Sequence, residues 1–227
     1  MTAAATSFEG KVVYVTGGAR GLGRCAAQRM ADAGARVARI DINQDGLEAT
    51  ARGRQGVHSF VLDVTDTAAI EANVREVETR LGPIDRVYSA AAILDTELLT
   101  SHPTATILRV MEVDYRSIVN VAKAVLPGML ARGSGELIHF ASMAAWVPAL
   151  HFGAYAAAKS AVATFTEVLA HENRRRGVRF CCVCPPLVAT PMLADARSRP
   201  KSLEHPAFPP ISPDTVLDAI ERDLARE

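Results

Sequence analysis

Short apolar runs alternate with longer amphipathic ones from one end of the chain to the other, and that alternation leaves few folds open. The apolar runs are "KVVYVTG" (11–17), "ARVARID" (35–41), "VHSFVLD" (57–63), "IDRVYSA" (84–90), "GELIHFAS" (135–142) and "VRFCCVC" (178–184). They are rich in valine, isoleucine and phenylalanine, and most are continuous rather than alternating, as in strands covered on both faces. Helical periodicity fills the gaps: in "DTAAIEANVREVETRL", Ile70, Val74, Val77 and Leu81 recur at spacings of three and four. Further helices are predicted over about 104–130, over about 153–176 and in the closing "SPDTVLDAIERDLARE", which opens on a helix-starting Ser-Pro-Asp. Repeated strand–helix alternation requires a parallel sheet with helices on both faces. The 227 residues contain no internal repeat, low-complexity linker or domain boundary, and read as one α/β domain.

Charge excludes some partners. Lys plus Arg and Asp plus Glu both number 25, so no general field favours nucleic acid or an anionic membrane. The densest basic run, "NRRRGVR" at 173–179, lies at a helix end, where cations complement the helix dipole. No apolar stretch approaches the ~20 residues of a spanning helix. The start, "MTAAATSFEGK", lacks the basic-then-apolar order of a secretory signal, and the expected location is the cytoplasm. Cys181, Cys182 and Cys184 share one strand, Cys181 on the face opposite the other two, which makes a poor metal cage. They and Cys25 read as small buried hydrophobes, and no metal site is expected.

The first apolar run leads into "TGGARGLGRCAAQRMADAG", with Gly17, Gly21 and Gly23 where strand gives way to helix. Glycines there permit a tight turn and let the backbone approach a pyrophosphate, whose charge suits a helix N-terminus. The second run ends in Asp41, eighteen residues after Gly23, where a carboxylate hydrogen-bonds an adenosine ribose. Such an acid accepts from the 2′-hydroxyl and repels a 2′-phosphate, favouring NAD over NADP. Arg20 and Arg39 pull the other way, since either suits that phosphate. Asp63, followed by Val64, ends the third run, either against an adenine or as a simple turn cap.

In "GAYAAAKSAVATF" (153–165), Tyr155 and Lys159 are four residues apart and share a helix face. An unperturbed tyrosine titrates at about 10; a nearby ammonium favours the phenolate and brings the group towards acid–base chemistry. Ser142 ends the fifth run, at the carboxyl edge of the sheet where cofactor sites collect. Its hydroxyl suits a carbonyl, or the alkoxide forming from one.

Residues 11 to about 192 resemble the short-chain dehydrogenase/reductase family, through "TGGARGLG", Asp41, "GELIHFAS", Ser142 thirteen residues before Tyr155, "YAAAK" and "PPLVATPM". The resemblance implies a Rossmann fold, a doubly wound parallel sheet in the order 3-2-1-4-5-6. It implies that Tyr155 exchanges a proton with the substrate oxygen, that Lys159 lowers the tyrosine pKa and binds the nicotinamide ribose, and that Ser142 orients the substrate. Cofactor contacts would come from Gly17, Arg20, Gly21, Leu22, Gly23, Asp41, Asp63, Val64, Ala90, Tyr155 and Lys159, with Val188 and Thr190 at the carboxamide. The helix bearing Tyr155 commonly lies at a subunit interface in this family, implying a homodimer or homotetramer.

Four departures stand out. Ser89, Ala90, Ala91 and Ala92 occupy the place of Asn-Asn-Ala-Gly after strand four, so the side-chain hydrogen bonds bracing that strand are not all retained. Asp114, in "MEVDYRS", replaces an asparagine that helps hold a proton-relay water near the lysine. A carboxylate there belongs with the catalytic set but raises the Tyr155 pKa. Pro186 replaces a glycine after Pro185, and the sequence stops at Glu227, ahead of the family's usual seventh strand, which is either omitted or lost to a shortened form.

Ile93, Leu94, Met143, Trp146, Val147, Leu187 and Met192 flank the expected chemistry and predict an apolar pocket for a hydrophobic secondary alcohol or ketone, cyclic or steroid-like shapes included. Trp146 reads as packing ahead of a substrate platform, His151 as a surface residue near the cleft mouth and His139 as structural. The proline-rich stretch 185–213 reads as a flap over the site. The leading function is an NAD-linked alcohol dehydrogenase with Tyr155 as base. The alternatives are an NADPH-linked reductase of oxoacyl or other carbonyl compounds, and a dinucleotide-binding regulatory or scaffold protein without turnover.

Overall fold

Valine-rich β1 (Val12–Thr16) is buried along its whole length, Val13 and Val15 facing one layer of helices and Val12 and Tyr14 the other. It lies inside a sheet completed by β2 (Arg36–Asp41), β3 (Val57–Val61), β4 (Ile84–Ser89), β5 (Gly135–Phe140) and β6 (Val178–Val183). The computed structural model describes residues 7–51, 55–197 and 209–226. All neighbouring strands are parallel and run in the order β3-β2-β1-β4-β5-β6, the doubly wound Rossmann arrangement.

Helices α1 (Gly21–Asp32) and α8 (Pro213–Leu224) cover the Val13 face with Met30, Val216, Leu217 and Ile220. On the Tyr14 face lie α3 (Thr67–Leu81) and α5 (Ser117–Arg132), through Ile70, Val77, Val125 and Met129, joined by Phe165 and Leu169 of α6 (Gly153–Glu172). The short α2 (Gln44–Ala51) follows β2. Arg86 of β4, itself buried, joins Glu136 of β5 to Glu221 of α8 and so ties the last helix to the sheet.

The helix predicted over 104–130 is helical throughout but not uniform: α4 (Thr104–Met111), a π-helical turn (Glu112–Arg116), then α5. The extra residue in that turn rotates Asp114 inward, and such turns recur at functional sites. Helix α6 stops at Glu172 rather than 176, where Asn173 turns its side-chain amide back onto the Leu169 carbonyl. A second difference concerns the cysteines. Cys181 is buried, but Cys182 is exposed rather than packed as a hydrophobe, because β6 is an edge of the sheet with one flank uncovered. Its Sγ lies 3.9 Å from that of Cys184, as the shared strand face requires. No cluster of three or more His, Cys, Asp or Glu side chains suited to a metal ion occurs among the described residues.

His139 on β5 is fully buried, with Nδ1 3.0 Å from Thr166 Oγ1, and burial holds its pKa down at about 4. The unfolded chain titrates the same ring at about 6.5. Between these values the unfolded state binds the extra proton. The contribution to stability is therefore complete above about pH 6.5 and shrinks by about 3 kcal/mol as pH falls towards about 4. Denaturant unfolding across that range is expected to show this slope, and His139→Leu to flatten it.

All six strands point their carboxyl ends to one edge, and the order of connection reverses between β1 and β4. Open α/β sheets form ligand crevices at such a switch point.

Candidate active site

At that edge lies a cleft of about 860 Å³, reaching from the β1 turn past the ends of β2 and β4 to α6. One end is shaped by glycines. Gly17 has φ 67°, and a Cβ on it would sit 2.8 Å from the Ala90 carbonyl oxygen; a Cβ on Gly23 would sit 2.3 Å from Gly17 O. The turn therefore presses the exit of β1 against both the exit of β4 and the first turn of α1. Helix α1 starts without a side-chain cap from Arg20 and without an acid in its first turn, and Gly21 and Leu22 line the cleft. An uncapped helix start with no acid in its own first turn fits the pyrophosphate of a dinucleotide. Gly23→Ala is expected to cost about 1–3 kcal/mol of stability through overpacking. It is also expected to abolish the rise in melting temperature that the dinucleotide gives the unmutated protein.

Asp41 is held by two backbone amides, Ala19 N to Oδ2 and Asn43 N to Oδ1, each at 3.0 Å. Each carboxylate oxygen keeps a further lone pair, and the residue lines the cleft beside Ile42 and Asn43, neither of them cationic. Arg39 does not reach this wall. It is buried and donates to the Leu47 carbonyl of α2 and to Ser59 Oγ, which corrects its reading as a rival phosphate partner. Arg20 does line the cleft and forms an exposed ion pair with Asp195 at 3.3 Å.

Asp63 caps a turn just beyond the end of β3. Its Oδ1 accepts from Thr65 N (2.8 Å) and Thr65 Oγ1 (2.7 Å), closing a turn, while the residue also lines the cleft with Val64. Burial pushes its carboxyl up, but the Thr65 bonds and Arg109, 3.3 Å from Oδ2, hold it below the ordinary range. Arg109 of α4 is a cleft residue that the sequence did not announce, since nothing in its amphipathic helix marks it as the partner of an acid 46 positions earlier. Ala90, Ala91 and Ala92 bring the β4 exit into the cleft; Ser89 Oγ beneath them is buried without a hydrogen-bond partner, consistent with the lost bracing.

The reactive end is built from β5 and α6. Ser142 lies two residues beyond β5 and caps the 3-10 turn Met143–Ala145, its Oγ accepting from Ala144 N at 3.1 Å. A hydroxyl that accepts this bond keeps its own proton to donate. Tyr155 and Lys159 line the cleft with it, Nζ standing 5.5 Å from the centre of the tyrosine ring. Lys159 Nζ donates to Phe140 O at 2.9 Å and lies 3.3 Å from Asp114 Oδ2; Asp114 Oδ1 accepts from Ile93 N at 2.8 Å.

The expectation that Lys159 lowers the Tyr155 pKa has the correct sign but is outweighed. Burial pushes the phenol up, Lys159 pulls it down, Asp114 pushes it up and a hydrogen bond with Ser142 pulls it down, leaving it above its ordinary value. Burial likewise opposes the Lys159 ammonium, yet Asp114 and Tyr155 more than compensate and raise it.

Val188 and Thr190 also line the cleft. Val188 bridges to Ile211, with Ala189 N donating to Ile211 O at 2.9 Å, and Thr190 O accepts from the first turn of α7 (Pro191–Arg197). Part of the expected flap, residues 198–208, lies outside the described residues. Ile93, Leu94, Met143, Val147, Leu187 and Met192 line the cleft as expected. Trp146 does not: it is 67% exposed, because the short turn after Ser142 carries it outward, so it is not a packing residue. His151 is half-buried, outside the lining, in a left-handed turn (φ 67°).

A Rossmann sheet with an open glycine turn is the frame of a dinucleotide-binding protein. Residues 11–201 match the short chain dehydrogenase family, and the chain belongs to it. It is 33% identical over 193 residues to the 2,3-dihydro-2,3-dihydroxybenzoate dehydrogenase of Bacillus subtilis (strain 168), covering 83% of this chain and 74% of that one. With the 2-dehydro-3-deoxy-L-rhamnonate dehydrogenase (NAD(+)) of Sphingomonas sp. (strain SKA58) it shares 31% over 194 residues, 85% of this chain and 78% of that one. The crystal structure of a levodione reductase superposes with a TM-score of 0.79 at 32% identity, covering 83% of this chain and 76% of the other. The protein is thus an NAD(P)-dependent oxidoreductase of small molecules. No helix among the described residues is long and apolar enough to cross a membrane.

Proposed function

We propose that the protein transfers a hydride between NAD and a hydrophobic secondary alcohol or ketone, with Tyr155 as general acid and base. The observation that carries this reading is that Ser142, Tyr155 and Lys159 share one largely apolar cleft with the open glycine turn and Asp41. When bound, NAD supplies or takes up the hydride. Ser142 donates its hydroxyl proton to the substrate oxygen and fixes that oxygen near the phenol. Tyr155 Oη gives its proton to the oxygen as a ketone is reduced and takes it back as an alcohol is oxidised. Lys159 holds positive charge beside the ring and presents a donor to the nicotinamide ribose. Val188 and Thr190 would hold the carboxamide end, and Gly17, Gly21, Leu22 and Gly23 would receive the pyrophosphate. Asp63 and Val64 border the adenine, and Ile93, Leu94, Met143 and Leu187 exclude water from the substrate's apolar body.

Asp41 supports NAD, because a 2′-phosphate would meet its carboxylate, and Ile42 and Asn43 offer no compensating cation. Arg20 is the feature that keeps NADP as the second reading. A panel of apolar secondary alcohols and the matching ketones, run with each cofactor while reduced nicotinamide absorbance is followed, tests both. The expected result is kcat/KM at least about tenfold higher with NAD, the equivalent of roughly 1.4 kcal/mol. A preference for NADP would transfer the assignment to Arg20. Tight NAD binding without turnover of any alcohol or ketone would instead favour a dinucleotide-binding protein.

A further inference from the structure

Asp114 has no solvent exposure, and its carboxylate is fixed at both ends: Oδ1 to Ile93 N at 2.8 Å and Oδ2 beside Lys159 Nζ at 3.3 Å. The π-helical turn Glu112–Arg116 puts it there, and the Ile93 amide belongs to the loop that leaves β4 for the cleft. An isolated carboxylate in such a place would be very costly, so its close approach to the ammonium is the condition of its burial. Lys159 has three donors. One is used on Phe140 O and one is directed at Asp114, while the residue still borders the cleft. The lysine is therefore not a free cation beside the tyrosine. With Asp114 ionised and Lys159 protonated, the pair carries no net charge.

We propose that Asp114 is a positioning residue that acts through Lys159: it pins the ammonium in the cleft wall and offsets part of the charge the ammonium presents to Tyr155, so that the phenol rests as a proton donor. This deepens the function proposed above and rests on it for the role of Tyr155. The charge count makes the argument. With Asp114 ionised, removing the phenol proton leaves the buried set of Asp114, Lys159 and Tyr155 with one uncompensated negative charge; with an uncharged side chain at 114 the same step leaves it neutral. Burial makes that difference large, because little solvent is present to spread the charge. The groups that face one another are few. Asp114 faces Lys159, Tyr155 and the Ile93 amide; Lys159 faces Asp114, Tyr155 and the Cys182 thiol; Tyr155 faces Lys159, Asp114 and the Ser142 hydroxyl. Of these the Asp114 carboxylate is the group whose removal turns the neutral pair into a net cation. A protein so arranged favours carbonyl reduction near neutral pH and needs higher pH for alcohol oxidation.

The test is Asp114→Asn, which keeps an acceptor for Ile93 N and changes volume little, with Asp114→Ser as a second uncharged variant. Two quantities are read: the midpoint of the alcohol-oxidation pH profile, and the phenolate absorbance titration of each variant minus that of its Tyr155→Phe counterpart, without substrate or cofactor. Both midpoints are expected to move down by about one pH unit in both variants, an effect typical of removing a nearby like charge. Midpoints that stay in place or move up would overturn the proposal. The absorbance titration reads Asp114 even if no alcohol is ever turned over, so failure of the function proposed above and failure of this inference remain distinguishable.

Discussion

Replacing Tyr155 by phenylalanine is expected to lower kcat for alcohol oxidation and ketone reduction about 10³-fold, with KM and the affinity for NAD changed little. The substitution removes one oxygen and leaves the ring contacts, including the edge-on packing against Phe152 and the approach of Lys159 Nζ to the ring. General acid–base groups contribute on this scale, and Lys159 is the other titratable side chain that the described residues place beside the phenol in the cleft. Lys159 is occupied with Phe140 O and Asp114, so it is poorly placed to substitute for the phenol. Steady-state kinetics with the best substrate of the panel, together with NAD titration of the variant, check the expectation. Retained turnover would remove the phenol from the chemistry.

The largest effect on stability is expected from Lys159→Met. The substitution fills similar volume but leaves the Asp114 carboxylate buried with only the Ile93 amide for support. Breaking a buried pair from one side costs about 3–5 kcal/mol because the remaining charge has lost its counter-ion. Adding Asp114→Asn to Lys159→Met is expected to restore most of that loss, so the two substitutions couple by about 1–3 kcal/mol. The penalty of the single variant has a pH sign as well. With the lysine gone, burial keeps the Asp114 carboxyl above its unfolded value; the penalty is full at high pH and eases as acid protonates the group. Denaturant melts of the four proteins at two pH values measure both effects, and strictly additive single changes would show that the pair does not act as a unit.

Most of the scaffold could be read from the chain because its signals are local. Continuous apolar runs such as "KVVYVTG" formed the central strands, and the 3.6-residue stripe through Ile70, Val74, Val77 and Leu81 became the buried face of α3. The glycine turn, Asp41, Ser142, Tyr155 and Lys159 were likewise visible, because each depends on a residue type at a fixed distance from a strand end or within one helical turn. What could not be read depends on distant neighbours. Arg39 and Asp41 have the same parity on β2, yet only the packing of α2 and β3 reveals that the arginine is taken up by the Leu47 carbonyl and Ser59. Cys182 belongs to an apolar run, but whether that run is central or marginal is a property of the whole sheet. The direct meeting of Asp114 with Lys159 required the extra residue of the π-helical turn, which no periodicity announced. The net upward shift of the Tyr155 phenol arises from burial, a quantity set by every segment that closes around it.

Trp146 gives the exposed turn after Ser142 a practical use. It is the only tryptophan in the chain, and its neighbours Met143 and Val147 form part of the cleft wall. The indole is thus a built-in fluorophore at the lip of the crevice. Its emission should respond when a nicotinamide or an apolar alcohol displaces water nearby, offering a label-free titration of occupancy even for compounds that are never converted.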